Sequence, residues 1–196
     1  MQAHNFRFLQ RPLGSELSVL ACLLLLGSPS SALGECQNAA VPTCDMYTKC
    51  FAKYCNCKGS DDEYFETYGA SYCNAFLGAA KFSEVGKVWR DSTLRCLQES
   101  IVPRLNLDNP TSCNCKTMKD FAYQSHVACY TSPANSICDL PAEDIYEIYS
   151  IVKIKDALTS EGWKQMHTVS EICSKTSKDD GRRTIWKTIE SILSIR

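Results

Sequence analysis

The chain has 196 residues, 44% of them hydrophobic and 22% charged, with a formal net charge of −1. That length fits one domain, or one domain with an appendage, and the charge balance removes the electrostatic basis for a nucleic-acid partner or a polybasic membrane contact. Aromatic residues reach 10%, which excludes a wholly disordered chain, but the thirteen cysteines are an odd number where a secreted framework needs an even one.

The first segment settles the parity. Arg7 and Arg11 precede the apolar run from Val19 to Leu26, which Gly27-Ser28-Pro29 breaks and Ser30-Ser31-Ala32 follows with small residues. The run is far shorter than the roughly 20 apolar residues of a membrane span. Charged start, short apolar centre and small-residue end describe a secretory signal peptide over residues 1–33, with cleavage after Ala32 or after Gly34 both fitting. Its removal takes away Cys22 and His4 and leaves twelve cysteines. Export follows the oxidising route, in which thiols pair, and no later stretch approaches a membrane span. A soluble extracellular protein without stable membrane insertion is expected.

Residues 34–173 form the cysteine-rich domain, and its spacing is helical. Asp61, Asp62 and Glu63 place negative charge at a helix start, and Phe65, Tyr68, Tyr72, Phe76 and Ala79 follow on one face. Ser83 is the candidate N-cap of a segment carrying Val85, Val88, Trp89, Leu94, Leu97 and Ile101 as far as Pro103. Met118, Phe121, Ala122, Ser125 and Ala128 predict a shorter helix that ends before Pro133. Pro141 opens the next, with Ile145, Ile148, Tyr149, Val152 and Leu158 in one run. Trp163, Met166, Val169 and Ile172 predict the last helix of the domain. Hairpin signals and clean apolar–polar alternation are both scarce. The expected fold is therefore an all-α, disulfide-stapled helical domain.

Residues 174–196 change character. Ser174 to Arg183 reads as an exposed polar linker, and Ile185, Trp186, Ile189, Ile192 and Leu193 make an amphipathic segment. The dibasic pair Arg182-Arg183 is a candidate processing site in a secreted precursor.

Helix geometry restricts the bridges. With a rise of about 1.5 Å per residue and bridged Cα atoms within about 7 Å, neither Cys36 and Cys50 nor Cys44 and Cys73 can pair along one straight helix. Bridges must staple separate helices, and spacing alone does not assign the connectivity. The tripeptides Cys55-Asn56-Cys57 and Cys113-Asn114-Cys115 repeat. Four thiolates could hold zinc, but zinc pairs are usually spaced by two to four residues and the compartment favours oxidation, so two bridges joining the tripeptides are expected. No metal or cofactor is expected.

Two histidines remain. His126 is read as a surface or partly buried helix residue without an orienting partner, and neither it nor His167 belongs to a catalytic motif. Asp61, Asp62, Glu63 and Glu66 lack the loop spacing of a calcium-binding hand and are read as a solvated helix start. Lys81, Lys87, Trp89 and Arg90 are candidates for an exposed contact surface. The chain is not expected to be an enzyme.

The run Cys73-Asn74-Ala75-Phe76-Leu77-Gly78-Ala79-Ala80-Lys81-Phe82, continuing through Gly86-Lys87 to Leu94-Arg95-Cys96, resembles the stanniocalcin family of secreted hormones. Cys36-Gln37-Asn38-Ala39, Cys129-Tyr130, Cys138 and Cys173 extend the resemblance over most of residues 36–173. The chain is one residue shorter between Phe76 and Ala79 than the family pattern. The resemblance implies pairing of Cys36 with Cys50, Cys44 with Cys73, Cys96 with Cys129, and Cys138 with Cys173. The family's remaining bridge falls between the two tripeptides, where Cys55 and Cys57 meet Cys113 and Cys115 in an order left open. All twelve cysteines are then used.

Two departures matter. No cysteine follows Cys173 to join subunits, so a monomer or a non-covalent homodimer is expected. The family's glycosylation signal is absent, because Asn109-Pro110-Thr111 carries proline in the forbidden position. The resemblance implies a secreted hormone-like protein that regulates calcium and phosphate by binding an extracellular protein partner or receptor. Two alternatives stand beside it: a secreted inhibitor of pappalysin-type metalloproteinases, and a helical carrier of small apolar ligands. A continuous apolar cavity between helices would mark the carrier.

Overall fold

The periodic apolar positions fold as helices, and the computed structural model shows no β-strand among the described residues, which are Cys36, residues 42–132 and residues 134–195. The signal segment and its cleavage positions lie outside them. Helix α1 is continuous through Met46–Phe51 and Ala52–Tyr54, and α2 through Phe65–Gly69 and Ala70–Gly78. Then come α3 (Glu84–Ile101), α4 (Cys115–Tyr130), α5 (Ala142–Ile151), the short α6 (Ile154–Ala157), α7 (Ser160–Thr176) and α8 (Asp180–Leu193). Single 3-10 turns at Val102–Arg104, Pro110–Ser112 and Ile137–Asp139 fill the corners. The expected all-α, disulfide-stapled domain is what the chain forms.

Helix starts follow side-chain chemistry. The Ser83 hydroxyl accepts from the Gly86 N–H at 3.1 Å, Asn114 from Thr117 at 2.9 Å, Thr159 from Gly162 at 3.0 Å and Asp179 from Arg182 at 2.9 Å. Each satisfies an amide that the first turn leaves without a backbone partner. The second helix begins at Phe65 rather than at the acidic run. Its first turn is widened, with the Gly69 N–H reaching the Tyr64 carbonyl at 2.8 Å. Gly69 lies flat against the Tyr47 ring, where a Cβ would come within 2.6 Å of ring carbons. Close approach of α1 and α2 therefore requires glycine there.

Phe82, the aromatic end of the Ala-Ala-Lys-Phe block, is buried between Phe76 and Trp89, at ring separations of 6.3 and 6.5 Å. Trp89 continues the row to Tyr130 of α4 at 5.6 Å. This aromatic row joins α2, α3 and α4 beneath the sequence's most specific block.

Two elements differ from the sequence expectation. The helix opened by Pro141 stops at Ile151 instead of running to Leu158, because Val152 turns extended and the Lys153 N–H donates to the Tyr72 hydroxyl at 3.1 Å. That hydroxyl in turn donates to the Asp156 carboxylate at 2.5 Å, so a side chain from α2 pins the break. A long-range contact overrides local helical spacing here. Most of the expected polar linker is also helical. Helix α7 continues to Thr176 and α8 starts at Asp180, leaving a three-residue reversal around buried Ser177. The two helices run antiparallel, with the Trp163 indole donating to the Leu193 carbonyl at 3.2 Å.

Helix α5 is tied to the start of α3 by a buried carboxylate. Asp144 is 0% exposed and accepts from the Ser83 N–H at 2.8 Å and the Ser83 hydroxyl at 2.5 Å. The carboxylate sits on the positive end of α3. A Cβ on Gly86 would fall 2.5 Å from its carboxyl carbon. Asp144→Ala is expected to lower the unfolding free energy by about 3 kcal/mol, the scale of two hydrogen bonds to a buried charge. Gly86→Ala also destabilises, and the double variant costs less than the sum because the clashing carboxylate has gone. Guanidinium unfolding with bridges intact measures all three; strict additivity would contradict the contact.

Candidate functional site

Twelve cysteines form six pairs in the structure. Cys36 joins Cys50 and Cys44 joins Cys73, with Cα separations of 5.4 and 5.6 Å. Cys96 on α3 joins Cys129 on α4 at 5.6 Å, and Cys138 joins Cys173 on α7 at 4.7 Å. Between the tripeptides Cys55 meets Cys113 at 5.2 Å and Cys57 meets Cys115 at 5.7 Å, which is the order the sequence left open. All six separations suit disulfide geometry. The Sγ atoms of Cys55, Cys57 and Cys113 lie within 4.8 Å of one another, a spacing that resembles a metal cluster. Here it arises from two bridges side by side, with the Cys55 and Cys57 sulfurs 3.6 Å apart, and these sulfurs are spent on covalent bonds. Non-reducing mass spectrometry of the processed chain should find no free thiol, and digestion should yield Cys96–Cys129 and Cys138–Cys173 cross-linked peptides. A free thiol would break this framework.

His126 is buried, 7% exposed, rather than at the helix surface. Its Nδ1 is 2.6 Å from the Ala122 carbonyl one turn earlier, and its Nε2 is 3.4 Å from the Tyr64 hydroxyl. With Nδ1–H donating to the carbonyl, Nε2 is the acceptor for the tyrosine. Tyr123 and Tyr130 flank the imidazole at ring separations of 6.1 and 5.5 Å. Tyr64, the residue just before α2, and Tyr68 within it close the cluster, both within 5.5 Å of the Tyr123 ring. Both helices carry their aromatics three or four residues apart, so periodicity held the signal for this cluster without saying that the two faces meet. The adjoining cavity measures about 30 Å³, room for one or two water molecules and no substrate.

Burial pushes the His126 imidazole down to about 4, against the pull of the Ala122 and Tyr123 carbonyls. The neutral ring is therefore the folded form, while the unfolded chain takes up its proton near the ordinary value of 6.5. Stability from this residue is full above pH 6.5, falls as pH drops towards about 4, and levels off below that with up to about 3 kcal/mol lost. His126→Gln, which keeps a hydrogen-bonding group, should flatten the unfolding profile in that window. An unchanged acid slope would assign it to other groups.

The remaining candidates are dispersed. Lys119 of α4 reaches the acidic helix start, 3.0 Å from the Asp61 carbonyl and 3.3 Å from the Asp62 carboxylate. Of the expected surface group, Lys81 is exposed, Lys87 pairs with Glu84 at 2.7 Å, Arg90 is mostly covered and pairs with Asp91, and Trp89 is buried. They do not make one cationic face. His167 of α7 contacts the Ser194 hydroxyl at 3.1 Å, on an element away from His126. Arg182 and Arg183 lie in the first turn of α8, where they donate to the Asp139 carbonyl at 2.7 Å and the Ser177 carbonyl at 2.8 Å. A protease needs such a pair extended, and this one is held helical.

One region is concave and apolar. A cavity of about 80 Å³ lies among α5, α7 and α8, and a surface groove of about 250 Å³ adjoins it, with Ile145, Tyr149 and Trp186 lining both.

Among known proteins, no curated sequence and no solved structure matches the chain. A model of the Stanniocalcin family matches residues 26–194. That span takes in all twelve bridged cysteines, the Ala-Ala-Lys-Phe block at the aromatic row and the α7–α8 hairpin, and the chain belongs to the stanniocalcin family.

Proposed function

We propose that the protein is a secreted, hormone-like signalling protein that regulates calcium and phosphate balance by binding an extracellular protein partner. Family membership over most of the chain carries the reading. The chemistry of the interior supports binding over catalysis. Its buried histidine is turned onto a carbonyl of its own helix and a tyrosine in a space too small for a substrate. Six bridges over so short a chain suit an oxidising compartment. No helix among the described residues is long and apolar enough to cross a membrane.

The receptor version and the inhibitor version of this reading differ in what the surface meets. In the first, the protein engages a cell-surface receptor. In the second, it covers a pappalysin-type metalloproteinase. Full-length protein expressed with its leader should appear in the medium, bridged, and should change calcium uptake by responsive epithelial cells in a dose-dependent and saturable way. A parallel assay of pappalysin cleavage separates the two versions, since only the inhibitor slows it. Retention of the chain inside the cell, or bridged protein inert in both assays, would sink the proposal.

A further inference from the structure

The groove and the adjoining cavity share the apolar residues Ile145, Tyr149 and Trp186, and each has one charged residue in its lining, Arg182 in the groove and Asp156 in the cavity. Tyr146, Tyr149 and Ile185 flank the groove and are 73%, 43% and 46% exposed, an unusual amount of apolar surface in one place. Ile145 and Trp186 form its floor and are also part of the wall of the inner cavity, which continues to Ile148 and Val169. These shared side chains place the two spaces next to each other.

Among the described residues, Arg182 is the only charged one lining the groove. Its Nη1 is anchored on the Asp139 carbonyl at 2.7 Å, and among the described residues no carboxylate pairs with it. The nearest candidates are engaged: the Asp139 carboxylate by Lys178 at 3.3 Å, Asp180 by Arg183 at 2.8 Å, and Asp179 by the Arg182 backbone N–H at 2.9 Å. A guanidinium carries five N–H donors, so the anchored side chain has donors to spare. Asp156, in contrast, lines the inner cavity and not the groove. Positive charge outside and a carboxylate within would orient an anionic amphiphile head outward, chain inward.

Size selects the chain. The inner cavity, about 80 Å³, is near half of the ~150 Å³ that accommodates benzene. It fits the end of an aliphatic chain and not a ring, while the groove takes the part nearer the head.

We propose that this groove and cavity bind a single-chain fatty acid, with its carboxylate on Arg182 and its hydrocarbon passing between Ile145 and Trp186 into the space beside Ile148 and Val169.

The test is calorimetric titration of the full secreted, bridged protein with decanoate and, separately, decanol. Decanoate should bind saturably at one site per chain. Arg182→Gln should weaken decanoate about tenfold, the scale of one charge-assisted contact, and leave decanol unchanged. Val169→Phe, which fills the inner cavity, should abolish both with the thermal midpoint retained. Met166→Phe fills the same cavity from a partly exposed position and serves if Val169→Phe does not fold. Absence of saturable binding up to about 1 mM would overturn the proposal. So would decanoate binding indifferent to Arg182→Gln and to the filled cavity, which is adventitious adsorption. A dimer in sedimentation that Ile185→Lys dissolves and decanoate does not compete with would also overturn it, because the groove would then be an interface between two copies.

Discussion

The two adjacent bridges between the Cys-Asn-Cys tripeptides are the constraint on which the aromatic half of the molecule depends. Each spans 58 residues of sequence. In the chain-entropy account the first such closure removes about 4 kcal/mol of freedom from the unfolded chain. The second closes only a small extra loop, so its contribution is orientational: two parallel links stop the end of α1 from pivoting about the start of α4. With that joint fixed, the segment from Tyr64 to Tyr72 is laid along α4, and Tyr64 meets His126. The close approach of Gly69 to Tyr47 then holds α2 against α1 from the other side.

The second half is organised by a different kind of contact. Asp144 is a buried carboxylate with no cation in its hydrogen-bond network among the described residues; its partners are the Ser83 amide and hydroxyl. A buried charge is tolerable when hydrogen bonds replace its water, and the start of α3 supplies them together with a favourable dipole. This polar lock fixes α5 across the start of α3, and Tyr72 fixes the break after α5 through Lys153 and Asp156. Burial pushes the Tyr72 phenol up to about 12, with the Asp156 hydrogen bond adding to the shift, so it remains a donor at physiological pH. The α7–α8 hairpin completes the body through the Trp186 indole, which donates to the Cys138 carbonyl at 3.2 Å.

Local signals were readable where local chemistry decides. Ser83 announced its own N-cap, apolar spacing announced α2, α3, α4 and α7, and cysteine parity combined with family resemblance pointed to a fully bridged, all-α domain. What sequence spacing could not convey is convergence. The break at Val152 depends on a tyrosine some eighty residues earlier, and nothing near Val152 signals it. The polar run after Cys173 looked like a linker because its charges hid the helix caps: Asp179 caps α8, while Arg182 and Arg183 each turn part of their guanidinium donors onto a carbonyl. The full burial of His126 was not legible in its own helix, because Tyr64 and Tyr68 close the cluster from a different segment of the chain. The groove likewise needed the fold, since Arg182 and Ile145 are far apart in sequence and share a wall only when α8 packs on α5.

Burial divides the six bridges into two classes. In Cys36–Cys50 and Cys138–Cys173 all four residues are at most 1% exposed, whereas Cys44, Cys96, Cys113 and Cys115 each leave part of one end of their bridge near solvent. Thiol–disulfide exchange needs a path to a sulfur atom. A reductant therefore reaches the four central bridges first and must displace α1 or lift α8 to reach the other two. The first and last bridges in the sequence act as deep fasteners, so a partly reduced molecule loosens from its middle while both ends of its bridged core stay closed.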